Sequence, residues 1–260
     1  MNKQTFQSRV NRKTKLLEEK ISFVIDYESI DERDTYGFYL TNRTTKNNPM
    51  ELPDIGNFVD VYPDFFALDT EPGLFMKTNK TCVCFFKEEQ YIDKIDGLNN
   101  AIKYKDITLL KYYKTRYSKV KFFVPVDYSL NGDFDKETLL HNLKRQCIDF
   151  LWFTFEMNGI CFPLMTYGNE DSLSWCFEHI MIGSNIVISL KMVMTGAEKE
   201  MFLKALKVLV DTRKPKALLV YSVASHDSTM SMLTYAIDNK VKVIEIPNTL
   251  MLRNRGVRNG

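Results

Sequence analysis

Five polar segments follow apolar runs directly, and their residue types invite chemistry. Asp127-Tyr128-Ser129 follows "VKFFVPV". A carboxylate at the end of a buried strand loses hydration, which raises its pKa and suits it to proton transfer. Capping of a turn together with Ser129 is the competing reading. Tyr167 stands in the polar stretch after "ICFPLM", and Lys191 follows "NIVISL" as a lone cation. That cation could bind an anion or balance Asp127. Ser225, His226 and Asp227 follow "ALLVYS", and Asn248 follows "VKVIEI". Ser-His-Asp looks like a hydrolytic triad spelled out, but triads are assembled in space, and adjacent side chains diverge. No G-x-S-x-G elbow accompanies it. The same loop can open a helix whose free N–H groups receive a phosphate or carboxylate. The candidate ligand-binding set is therefore Asp127, Ser129, Tyr167, Lys191, Ser225, His226, Asp227 and Asn248.

A second set is basic. "KYYKTRYSKVK" interleaves Lys111, Lys114, Arg116 and Lys119 with tyrosines. Cations can neutralise phosphates and tyrosine rings can stack on bases. A solvated helix face whose tyrosines pack on the core is the plainer reading. Glu170 and Asp171 are neighbours that point apart on an extended backbone, and Asp171 is expected to cap a short helix over "SLSWCFEHI". His141 and His179 fall on helical patterns and read as structural. No H-x-H, H-E-x-x-H or zinc-type cysteine spacing is present, so neither metal nor cofactor is expected.

These residues need a scaffold that gathers them. From about residue 80, strand-like runs alternate with helical patterns, which implies βαβ units and a parallel sheet. The expected fold is α/β, with strands near 81–86, 120–126, 160–165, 185–190, 216–221 and 241–246. Helices would cover a mainly parallel sheet of about six strands, either open and doubly wound or wrapped like an incomplete barrel. Residues 1–79 read as a charged arm and irregular cover, and 80–260 as the α/β domain. In such folds ligands bind beyond the carboxyl ends of the strands, so all the candidates above would meet on one rim.

Composition sets wider limits. The chain has 260 residues, 45% of them hydrophobic, enough for a substantial core. A formal charge of +2 argues against a general polyanion binder, although both ends are basic. Five cysteines, Cys82, Cys84, Cys147, Cys161 and Cys176, are expected as buried free thiols in a reducing cytoplasm. No apolar run reaches the ~20 residues that span a bilayer, and no membrane partner is expected.

From Pro63 onward the chain resembles domain of unknown function family 4417. The resemblance rests on "YPDFFALD", "TCVCFF", "VKFFVPVDYSL", "WFTFEMNGICFPLMTYGNEDSLSWCFEHI", "GSNIVISLK" and "KALLVYS", in that order. Ser222 stands where the family tends toward glycine. The resemblance implies a phage or mobile-element origin and no particular activity. Three functions remain open. One is a rim binding a small anionic or nucleotide-like ligand, and another is a non-enzymatic protein that engages a host factor through an exposed aromatic patch. The third is a nucleic-acid binder using the basic segments.

Overall fold

The computed structural model describes residues 37–86, 97–128, 133–191, 193 and 195–256. The chain divides after Thr35, and every described residue belongs to the second unit. The expected N-terminal arm and Ser129 lie outside the described residues.

The described strands form two wholly parallel sheets. β1 (Phe65–Leu68), β2 (Thr81–Phe85), β3 (Phe122–Val126) and β4 (Ile160–Cys161) make the first, in that spatial order. β5 (Asn185–Ser189), β6 (Ala217–Tyr221) and β7 (Lys242–Glu245) make the second. Single bridges join the sheets on both flanks. Leu164 pairs with Val187 just past β4, and Phe66 pairs with Asn248 just past β7. Proline sits at each seam. Pro163 and Pro247 have no N–H to extend a ladder, but their carbonyls accept from Val187 and Phe66, each at 2.8 Å. Phe66, Cys84, Val124, Leu164, Val187, Leu219 and Ile246 come from all seven strands or their continuations and share one buried cluster. The two sheets thus wrap a common interior, which is the barrel-like form of the expected α/β fold.

The described helices are α1 (Phe38–Thr41), α2 (Pro72–Phe75), α3 (Leu98–Lys103), α4 (Ile107–Arg116), α5 (Lys136–Phe155), α6 (Gly196–Arg213), α7 (His226–Met232), α8 (Thr234–Asp238) and α9 (Thr249–Asn254). Their starts are written locally. Asp106 accepts from the N–H groups of Thr108 and Leu109, and Asp135 from that of Thr138. Thr195 and Glu198 form a reciprocal capping box at α6. Helix α5 lays Ile148, Leu151 and Phe153 against Val83 and Phe123 on the outer face of the first sheet. Helix α6 lays Phe202, Leu206 and Leu209 against Ile186, Leu218 and Val220 of the second. The strands are therefore buried on both faces, which explains their unbroken apolar runs. Each such large side chain contributes roughly 1.5–3 kcal/mol.

Between α5 and β4, Asn158 takes a left-handed φ of 51° and Gly159 follows. A Cβ on Gly159 would stand 2.6 Å from the Phe123 ring, so the close approach of strand and turn demands glycine there.

The described residues hold seven strands, close to the about six expected, the addition being "FFAL" within the supposed cover, which is β1. At four residues, close to Pro63 and Pro72, it is too short to show a period. The expected helix over "SLSWCFEHI" is only a 3₁₀ turn at Asp171–Ser174, and Asn169, not Asp171, accepts from the Ser172 N–H at 3.0 Å. All five cysteines are free and buried, as expected. Among the described residues, no helix is long and apolar enough to cross a membrane.

Candidate functional site at the barrel mouth

Parallel strands deliver every post-strand residue to one end of the barrel. Asp127 leaves β3 there. Its neighbours Val126 and Tyr128 both turn outward into the helix-covered cluster, so alternation turns Asp127 toward the barrel axis. Burial pushes its carboxyl up to about 7, and the Lys191 charge only partly offsets this. Among the described residues Asp127 has no hydrogen-bond partner.

Lys191, at the end of β5, reaches across the mouth. Its Nζ donates to the Phe86 carbonyl beyond β2 at 2.8 Å. An ammonium has three donors, so two remain for other acceptors. Tyr167 completes this side. Burial raises its phenol well above the usual value, and the nearby charges of Asp127 and then Glu198 add to the rise. Asp127, Tyr167 and Lys191 thus share one electrostatic neighbourhood, although Asp127 and Lys191 form no direct ion pair.

The floor of the mouth is aromatic. Tyr221 is buried inside the barrel, its ring centroid 4.9 Å from that of Phe86 and 5.9 Å from that of Phe66. An apolar floor strengthens any charge interaction above it. Glu71 stands after β1, its Oε2 accepting from the Leu68 N–H at 2.8 Å. Its charge is felt by both Cys84 and Tyr221, which places it at the mouth as well. Glu71 escaped the sequence reading because it follows the strand that was not expected.

The remaining candidates divide differently. Ser225 caps α7, and its Oγ and carbonyl receive the N–H groups of Ser228 and Thr229. The expected anion cradle at those N–H groups is therefore closed. His226 does not meet Asp127. Its Nδ1 lies 2.8 Å from Glu245 Oε2. Glu245 sits on β7 between Ile244 and Ile246, which both face the barrel interior, so it points outward and takes His226 with it. Arg255 donates to the same carboxylate and to the Ala224 carbonyl. Burial alone would raise the Glu245 carboxyl, but the bonds from Arg255 and His226 outweigh it and hold it below the usual range. Asp227 is exposed on the first turn of α7. Asn248 reaches the rim with both ends of its amide in use: Nδ2 donates to the Ser222 carbonyl and Oδ1 accepts from the Met251 N–H.

The basic set divides evenly between engaged and exposed side chains. Lys114 pairs with Glu156 at 2.8 Å, and Arg116 donates to the Asp69 carbonyl while packing near Phe75 and Tyr117. Tyr117 is buried and Tyr113 packs on the same cluster. Lys111 and Lys119 are exposed. His179 is buried beside Arg213 and Asp54. Its pKa falls to about 4, with burial the main cause and the Arg213 charge a further one, so the ring is neutral. No cluster of metal-ligating side chains occurs among the described residues.

Fold and mouth together define a parallel α/β protein of the barrel type, with an acid, an amine and a phenol grouped at the carboxyl ends of its strands. The chain belongs to the family described as Domain of unknown function (DUF4417), whose model matches residues 48–240, about three quarters of its length. No curated protein matches it, and no solved structure matches it.

Proposed function

We propose that the mouth binds a small anionic, nucleotide-like ligand. Lys191 serves as the anion contact and Asp127 as a proton donor or acceptor. The observation that carries this reading is Asp127 itself, a carboxyl titrating near neutral pH and unpartnered among the described residues, set toward the barrel axis near Lys191 and Tyr167. Parallel barrels place their chemistry at this end because the strand termini converge there and the loops beyond them are free to vary. A group with a pKa near the working pH exchanges protons most effectively. The phage or mobile-element setting that the sequence resemblance implies is part of the same proposal.

Two measurements test it. Mass spectrometry of small molecules released from purified protein, with an absorbance check for nucleic acid, should reveal a bound anion. Calorimetric titration with inorganic phosphate and with nucleoside mono- and diphosphates should then show binding that Lys191→Met weakens. If no anion binds, or if Lys191→Met binds like the wild type, the host-interaction reading takes its place.

A further inference from the structure

The opposite end of the barrel carries a different surface. Residues 55–64 cross beneath the amino ends of the strands. Ile55 bridges to Ile180, the Asn57 Nδ2 donates to the Cys161 carbonyl, and Asp60 pairs with Lys216 at 2.6 Å. This crossing segment leaves Phe58 and Val61 about half exposed, at 51% and 48%. The turn beside it exposes Met181 at 45% and Ile182 at 62%. The two stretches form one patch, because a Cβ built on Gly56 would touch the Met181 side chain at 3.0 Å and the Phe58 ring at 3.1 Å. Gly183 follows Ile182 with a φ of 79°, and the space that a Cβ there would fill is open.

Lysines fringe the patch, because each lies at the amino end of a strand or beside one. The Gly183 N–H donates to the Arg213 carbonyl, which brings Lys214 next to Ile182. The Lys242 N–H donates to the Lys216 carbonyl, and the Lys242 ammonium lies over the Tyr62 ring. The Ile160 N–H donates to the Lys121 carbonyl, beside the residues that hold Asn57. Lys216 and Lys80 have Asp60 and Asp64 as partners. Lys121 and Lys214 form no ion pair among the described residues, and the Lys242 charge is shared with Asp60, whose carboxyl it helps Lys216 to hold below the usual range.

We infer that this end of the barrel docks on an anionic lipid surface. Exposed apolar side chains fringed by five lysines, against the two carboxylates Asp60 and Asp64, match both parts of such a surface, acyl chains below and negative headgroups above. A second copy fits less well, since self-association would bring lysines against lysines. Nucleic acid fits less well too, because Phe58 is set among the aliphatic or thioether side chains Val61, Met181 and Ile182, which offer no further stacking face. Such a contact is peripheral, with no segment crossing the bilayer, and it is an alternative to the expectation that no membrane is involved.

Co-sedimentation of the full chain with vesicles tests the inference. One set is phosphatidylcholine alone, the other phosphatidylcholine mixed with phosphatidylglycerol. Binding should appear with the mixed vesicles and fade as salt is raised. Lys214→Gln and Lys242→Gln should each weaken it about fivefold, and Ile182→Asp about tenfold. All three side chains are exposed, so melting temperatures should stay near that of the wild type and report intact folding. The inference is overturned by failure to bind the mixed vesicles, or by binding that these variants leave unchanged. It is equally overturned by a stable solution dimer that Ile182→Asp dissolves, which would assign the patch to a second copy.

Discussion

Lys191 Nζ donates to the Phe86 carbonyl oxygen at 2.8 Å, linking the end of β5 to the end of β2 across the barrel mouth. Two strands of the ring, β3 and β4, separate the two attachment points on the shorter path, so this bond braces the rim. It also fixes a cation close enough to Asp127 to temper the rise in that carboxyl's pKa. Lys191→Met should cost about 1 kcal/mol of stability, the net worth of one such bond. It should also drive the Asp127 pKa higher still. Chemical denaturation and the pH profile of ligand binding read the two effects separately, and a profile that does not move toward higher pH contradicts the arrangement.

Asp127 makes stability depend on pH with a definite sign. Its carboxyl titrates near 3.8 when unfolded and at about 7 when folded. Between those values the folded state holds a proton that the unfolded state has lost, so stability is full below pH 4 and declines as pH rises toward and through 7. The loss is up to about 4 kcal/mol if the site stays rigid and dry. Asp127→Asn removes it. The variant should match the wild type near pH 4 and exceed its melting temperature near pH 8. Parallel melting curves over that range would mean that Asp127 is well hydrated.

His226 should be dispensable for the mouth. Its ring is mostly exposed and held by the outward-facing Glu245, and exposed pairs contribute about 0–1 kcal/mol. His226→Ala should leave ligand binding unchanged and stability nearly so. Glu245→Ala should cost more, about 1–3 kcal/mol, because it removes the charged partner of the mostly covered Arg255 side chain and leaves that side chain only its bonds to the Ala224 carbonyl. Binding lost in His226→Ala would revive a role for the Ser-His-Asp loop.

Gly159→Ala tests the packing between α5 and β4. The added methyl would sit 2.6 Å from the Phe123 ring, which is itself stacked on Phe153 at 4.4 Å. Neither ring has room to withdraw, so a loss of about 1–3 kcal/mol is expected from overpacking. An unchanged urea midpoint would show that the turn yields instead.

Much of this protein was legible in the chain. Runs such as "TCVCFF" and "ALLVYS" announce strands buried on both faces, and helical patterns between them require parallel pairing. From that alone, Asp127, Tyr167 and Lys191 were due at one end of the sheet. Strand β1 was not legible, because four residues near two prolines carry too little period to separate strand from loop. With β1 went Glu71. The partners of the charged groups were also undecided by the sequence. His226 and Asp127 both follow strands, yet one faces Glu245 outside the barrel and the other turns toward its axis. Local sequence sets backbone periodicity through sterics and hydrophobic burial, which act over a few residues. Which side of a curved wall a side chain ends on, and which charge it meets there, depends on register and closure between strands far apart in the chain. Those are set only when the two sheets wrap their common core.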